Sequence, residues 1–288
     1  MHGNSNATPL GSPVPHIATK DGTQLYYRDW GAGQPVVFCH GWPLNSDMWE
    51  YQMTALASAG FRCIAYDRRG FGRSDHPWTG YDYDTFADDL ATLIETLELT
   101  NIVLIGFSMG GGDIARYISR HGSTRIAKAV LIASVTPMMV RTPDHPLGVD
   151  PAIFHGFRSQ ITANRPAFLK DFATHYLGAE LAGLSLTAPE AIPGWIQSLG
   201  LQASAKATFD CVSALSETDF RPDLEHFTMP TLIIHGEHDQ IVPLPTTARE
   251  TARLIPGSRL EVYGGASHGL FLTHKNALNG DLLNFLGE

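Results

Sequence analysis

The chain is poor in cysteine, in positive charge and in long apolar runs, and each shortage removes a class of protein. Cys39, Cys63 and Cys211 are the only cysteines in 288 residues. So sparse and odd a set does not make a disulfide framework. No CxxC pair occurs, which argues against a zinc ribbon or a thiol redox centre. Cys39 and Cys63 sit inside apolar runs, so buried free thiols are expected. Lys and Arg number 20 against 29 Asp and Glu, a formal charge of -9. That balance gives no basic footprint for a phosphate backbone. No stretch approaches the ~20 apolar residues of a membrane span. The opening residues MHGNSNATPLGSPVPH hold no apolar signal-peptide core. The expectation is a cytoplasmic protein that binds neither nucleic acid nor membrane; a homo-oligomer is left open.

What is present reads as a folded enzyme. With 43% hydrophobic and 17% charged residues, the chain can bury a large core without staples. Residues 1–15, rich in Asn, Ser, Pro and Gly, are expected to be a flexible arm. Beyond them, apolar and β-branched runs recur at Val36–Cys39, Arg62–Tyr66, Ile102–Gly106, Ala129–Ala133, Thr231–His235 and Arg259–Tyr263. Helical patterns lie between. Phe86, Leu90, Leu93, Ile94 and Leu97 line one face of a helix, with Asp84 as its expected N-cap. Another helix begins near Ser46 and turns Trp49, Met53 and Leu56 to one side. Strands alternating with helices give an α/β fold with a mostly parallel sheet covered on both faces.

Residues 137–229 break the rhythm. They show Pro-punctuated helical pieces, many Phe and no strong strand. The expected organisation is a core from residues 16–136 and 230–288, with 137–229 inserted as a helical cap over the sheet. Extra helices packed on the core are the alternative.

The sharpest motif is Gly106-Phe107-Ser108-Met109-Gly110. It follows an apolar strand and precedes a helix carrying Ile114, Tyr117 and Ile118, ended by Gly122. Strand, G-x-S-x-G, helix is the setting of a nucleophile elbow, a strained turn that lifts a serine hydroxyl above the sheet edge. The helix N-terminus behind it favours developing negative charge. A Gly-rich turn with an incidental serine is the bland reading, and the partners below speak against it. The same glycines lack the Lys-Ser/Thr of a phosphate loop, and Gly70-Phe71-Gly72 meets Asp75 where a dinucleotide fingerprint needs glycine.

A serine hydroxyl needs a base, and the base needs an orienting acid. In this fold the acid and then the histidine follow the serine along the chain. Asp239, in the loop Gly236-Glu237-His238-Asp239 after a strand, is the expected acid, with Glu237 as rival. His268, in Gly264-Gly265-Ala266-Ser267-His268-Gly269 after the last strand, is the expected base; His274 lies too far into the next helix. His235 and His238 have no third ligand at a metal's spacing. A core or supporting role suits His235, and a hydrogen-bonded loop role suits His238. No metal or other cofactor is expected. The oxyanion hole needs two backbone N–H groups. Met109 and Trp42, the latter in Cys39-His40-Gly41-Trp42, are the expected donors.

These motifs together resemble the cofactor-free, non-haem haloperoxidases, which are aryl esterases and perhydrolases of the α/β-hydrolase fold. The likeness rests on His40-Gly41-Trp42-Pro43-Leu44, on Tyr66-Asp67-Arg68-Arg69-Gly70-Phe71-Gly72-Arg73-Ser74 and on Gly106 to Gly111. His235 to Asp239 and Ser267-His268-Gly269 also match. It runs from about residue 17 to the end, strongest over residues 36–112 and weakest in the cap. It implies hydrolysis of small acyl esters, with Phe107 and Ile241 lining the acyl pocket. Ser108 disfavours the alkyl-ester intermediates of dehalogenases and epoxide hydrolases. Lactonases, lactamases and C–C bond hydrolases stay open, as does a receptor with slow turnover. Pro43 adds a finer expectation. It restricts Trp42 before it, so the Trp42 carbonyl has a set direction near the acyl carbon. That carbonyl could accept the second O–H of hydrogen peroxide and favour peroxide over water.

Overall fold

The computed structural model describes residues 15–178 and 191–288. All of the expected arm but Pro15 lies outside the described residues. Eight strands form one sheet: β1 His16–Ala18, β2 Gln24–Gly31, β3 Pro35–Cys39, β4 Arg62–Tyr66, β5 Ile102–Phe107, β6 Ile126–Ile132, β7 Thr231–Gly236 and β8 Arg259–Tyr263. Their spatial order is β1-β2-β4-β3-β5-β6-β7-β8. From β4 to β8 every pairing is parallel; β1 and β2 join antiparallel at one edge.

The six apolar runs read from sequence are the six parallel strands. β5 and β7 are buried at every position, as strands covered on both faces must be. The sequence reading missed β1 and β2. In β2 only Leu25 is fully buried and the last three residues face solvent, so an antiparallel edge leaves no apolar run to see. β6 also begins earlier than expected, at Ile126.

The described helices are α1 Glu50–Ser58, α2 Tyr83–Thr96, α3 Met109–His121, α4 Pro151–Leu177, α5 Ala191–Leu201, α6 Ala205–Glu217, α7 Arg221–Leu224, α8 Ala248–Leu254, α9 Leu270–Thr273 and α10 Lys275–Gly287. A 3-10 turn, Ser46–Trp49, leads into α1. The cap of α2 is Asp82, not Asp84. Its carboxylate accepts from Thr85 N–H at 2.9 Å. The buried ring of Tyr83 already belongs to the apolar face, so the helix starts earlier. Asp84 instead pairs with Arg116 on α3. Gly122 ends α3 with φ 81°, a conformation glycine adopts without a Cβ clash.

Helices α4 to α7 are inserted between β6 and β7. α4 is two helices joined at Asn164, whose φ of -161° is not helical. The Asn164 side chain accepts from Ala167 N–H at 3.1 Å, and Pro166 sits in the first turn that follows. This is an N-cap followed by an early proline, so the second helix restarts in register. The inserted helices pack on one another through rings: Phe157 lies 5.6 Å from Phe168 and 5.8 Å from Phe172. The peptide bonds Trp42–Pro43 and Thr136–Pro137 are cis.

Candidate active site

Ser108 stands between β5 and α3 with φ 54° and ψ -117°. A non-glycine residue there is strained, and such strain persists only where its surroundings enforce it. They do so here by close approach. A Cβ on Gly106 would come within 2.5 Å of the Gly110 carbonyl, and one on Gly110 would run into the Cys39 carbonyl of β3. Glycine at both positions lets the first turn of α3 lie against the strand ends.

The loops after β7 and β8 complete the line. His268 Nε2 lies 3.1 Å from Ser108 Oγ, and His268 Nδ1 lies 2.7 Å from Asp239 Oδ2. All three residues are buried. Asp239 Oδ1 accepts from Ile241 N–H at 2.9 Å and Val242 N–H at 2.8 Å. Burial pushes the Asp239 carboxyl pKa up, but His268 and His235 outweigh it and hold the group well below the usual carboxylate range. His235 is fully buried. Its Nε2 lies 2.7 Å from the Val242 carbonyl and 3.4 Å from Asp239 Oδ2. It supports the Asp239 loop from beneath, in line with the supporting role read from sequence. Glu237 instead faces solvent, with its carboxylate accepting from Gly265 N–H at 3.2 Å. His274 packs beside Tyr263, away from Ser108.

Met109 and Trp42 are the residues whose N–H groups are expected to receive an oxyanion. Met109 opens α3, so its N–H has no acceptor within the helix. The Trp42 N–H donates to no group among the described residues. The peptide carrying it is held from the far side. The Gly41 carbonyl lies 2.9 Å from His40 Nδ1 and accepts from Leu44 N–H at 2.9 Å. In a trans peptide C=O and N–H point opposite ways, so fixing the Gly41 carbonyl aims the Trp42 N–H.

His40 is fixed in turn. Arg68 N–H donates to His40 Nε2 at 2.9 Å, and the Arg68 guanidinium donates to the His40 carbonyl at 2.8 Å and pairs with Asp113 on α3. Burial and then the Arg68 charge push the His40 pKa down to about 3, so the ring stays neutral with its proton on Nδ1. Sequence reasoning missed this network. The signal for it was Asp113, a carboxylate on the helix turn that opens against the sheet.

A cavity of about 20 Å³ lies over Ser108 and His268, walled by Trp42, Val135, Met139 and Ile241 among others. It shares Phe154, Phe157, Phe172 and Ile241 with a larger cavity of about 390 Å³. The inner space has room for about one or two waters. Ile241 is on its wall. Phe107 is not, in contrast to the expectation that it lines the pocket. Its buried ring lies 4.9 Å from His268 and 5.1 Å from Phe271, because the close approach of Gly41 covers it. Among the described residues no group of three or more His, Cys, Asp or Glu side chains is arranged to hold a metal ion. No described helix is long and apolar enough to cross a membrane.

The alpha/beta hydrolase fold family matches residues 34–275. The chain belongs to that family. This α/β hydrolase is 42% identical to a non-heme chloroperoxidase of Kitasatospora aureofaciens, over 96% of its own length and 100% of the relative's. It is 40% identical to a bifunctional esterase/perhydrolase of Acinetobacter calcoaceticus, over 94% of its length and 98% of the relative's. The crystal structure of a bromoperoxidase from Bacillus anthracis matches with a TM-score of 0.90 at 45% identity, covering 95% of this chain and 99% of that one. The α/β hydrolase is therefore an enzyme of the non-heme haloperoxidase and esterase/perhydrolase group.

Proposed function

We propose that the protein is a cytoplasmic, cofactor-free serine esterase of small carboxylic esters, with peracid formation as a side activity. The observation that carries this reading is the buried line from Ser108 through His268 to Asp239, at 3.1 and 2.7 Å. His268 takes the Ser108 proton as the hydroxyl attacks the ester carbonyl. The oxyanion forms between the Trp42 and Met109 N–H groups. His268⁺, stabilised by the Asp239 carboxylate, gives its proton to the departing alkoxide. Water then attacks the acyl-enzyme by the same route and frees Ser108. The small inner cavity suits a short acyl group, and residues 137–229, of which 179–190 lie outside the described residues, act as the cap, with α4 walling the outer cavity.

Peroxide can replace water in the second half. One O–H of hydrogen peroxide gives its proton to His268, the second O–H donates to the Trp42 carbonyl, and the acyl group leaves as a peracid. Among the described residues that carbonyl accepts no backbone N–H, and a single side-chain donor, Tyr176 Oη at 3.5 Å, reaches it. Halogenation then follows indirectly, from peracid oxidising free halide. The kinship with a chloroperoxidase and an esterase/perhydrolase supports both halves of the reading.

The test uses p-nitrophenyl acetate for hydrolysis and acetate with peroxide for peracid. Multiple turnovers are expected in the first and peracetic acid above a Ser108→Ala background in the second. Release of one equivalent of nitrophenol without turnover would mark a ligand-binding receptor instead. Peracid at the Ser108→Ala level would remove the side activity. A Pro43→Leu variant with undiminished peracid would keep the activity and remove proline as its cause.

A further inference from the structure

The catalytic histidine of the proposed esterase is seated on three sides. Asp239 holds its Nδ1 from the core, and the Phe107 ring lies 4.9 Å away on β5. The third side belongs to the inserted helices, and to one residue there. Tyr176 occupies the last turn of α4 and is fully buried. Its ring stands 4.6 Å from the His268 ring at 78°, an edge-to-face contact. Its backbone carbonyl accepts from Gly269 N–H at 2.8 Å and from Ser267 Oγ at 3.3 Å. Both residues flanking His268 are thus tied to the residue whose ring abuts the imidazole. The fit is close: a Cβ on Gly269 would come within 2.8 Å of Leu177 Cδ2 and 3.1 Å of the Tyr176 carbonyl. The Tyr176 hydroxyl reaches the Trp42 carbonyl at 3.5 Å, so the same side chain also touches the oxyanion loop.

We propose that Tyr176 is a positioning residue that fixes the rotation of the His268 imidazole, making the inserted helices part of the catalytic seat as well as the cover of the pocket. The inference rests on the esterase reading, since it concerns the base of that reaction. The reasoning is geometric. The Asp239 bond fixes Nδ1 and the Phe107 ring bounds one side, which leaves the imidazole a swing toward the inserted helices. A ring placed edge-to-face against it blocks the swing. Nε2 then stays in one position, within reach of Ser108 Oγ and of the leaving oxygen that departs beside it. Proton return to a poor leaving group is the step most sensitive to that aim, because a good leaving group departs without a proton.

The experiment measures kcat and KM for a series of substituted phenyl acetates, from p-nitrophenyl to unsubstituted phenyl, in the wild type and in Tyr176→Phe and Tyr176→Leu. Turnover by the wild type that is lost in Ser108→Ala establishes the esterase reading first; without it that reading fails, whatever Tyr176 does. Tyr176→Phe keeps the ring and is expected to stay within about threefold of wild type across the series. Tyr176→Leu is expected to lose roughly 10- to 100-fold in kcat with KM within about threefold. Its log kcat/KM is expected to fall more steeply as the leaving group becomes more basic. That slope does not depend on the fraction of enzyme folded, so a purely structural role leaves it unchanged. Should Tyr176→Leu not fold, Gly269→Ala serves in its place. The φ of -76° at Gly269 accommodates alanine, and the added Cβ pushes against the Tyr176 turn while leaving the ring intact. The wild-type slope in the variant that folds, or a loss confined to KM, overturns the proposal.

Discussion

Beneath the inner cavity, Ser108, His268 and Asp239 stand at or beyond strand ends, tied by hydrogen bonds of 3.1 and 2.7 Å, and the loop carrying Trp42 is held through His40 by the buried Arg68–Asp113 pair. Above it, Phe154, Phe157, Phe168 and Phe172 meet one another through ring faces and edges 5.5 to 6.2 Å apart. The two regions are held by different forces. Hydrogen bonds to charged groups are worth about 1.5–3 kcal/mol each and demand one geometry. Ring pairs are worth about 0.5–1.5 kcal/mol beyond their buried area and accept several arrangements. The floor therefore suits chemistry, which tolerates little displacement. The roof suits selection among substrates, which a change of ring can retune. Tyr176 is one place where the two meet: its ring lies 5.5 Å from Phe172 in the roof and 4.6 Å from His268 in the floor.

Substitutions should separate floor from roof by the kind of loss as well as its size. Ser108→Ala should lower kcat by about 10⁶ with the thermal midpoint unchanged; activity above a few per cent would remove Ser108 as nucleophile. Asp239→Asn should cost on the order of 10⁴ in kcat, while Glu237→Gln should stay near wild type. The reverse ranking would transfer the orienting role to Glu237. Asp113→Ala leaves the Arg68 guanidinium buried without its partner, and denaturant titration should show a loss of about 3–5 kcal/mol. His40→Ala should spare more of that stability but lower kcat by about 10², with KM little changed, by releasing the Gly41–Trp42 peptide. A stability loss with kcat intact would make the network a matter of folding alone.

The roof should answer differently. Phe157→Ala should leave kcat for acetyl esters within about threefold. It should broaden the acceptance of longer esters, read as KM across a chain-length series, because Phe157 walls both cavities. A thousandfold loss of kcat there would erase the distinction between the two regions. Dialysis against EDTA should change nothing in either region, and a chelator-sensitive enzyme restored by zinc would contradict the cofactor-free account.

The same contrast explains how much was legible in the sequence. Parallel strands buried on both faces print as apolar runs, so β3 to β7 could be read directly, and β8, a half-exposed edge strand, followed from its place closing the series. The elbow could be read too, because its glycines are forced by backbone contact and leave a fixed spacing. Ser108, Asp239 and His268 sat where chain order and strand ends put them, and the structure brings them together. The antiparallel edge of β1 and β2 was invisible because one exposed face removes the run. Asp82 displaced Asp84 as the cap of α2 because Tyr83, three residues before Phe86 on the same face, extends the buried face by a turn. Phe107 was misplaced for a reason of direction: spacing set it beside Ser108 but could not say that Gly41 would cover it. His40, Arg68, Asp113 and Tyr176 act through contacts 28 to 134 positions apart, beyond any local pattern.

The central claim is that catalysis passes through an acyl group on Ser108. Acid quenching during steady turnover of p-nitrophenyl acetate, followed by peptide mapping, reads this directly. The expected result is an acetyl group on the peptide containing Ser108, absent when Ser108→Ala protein is treated in the same way. Continued turnover in Ser108→Ala, or an acetyl group that maps to another residue, would contradict it.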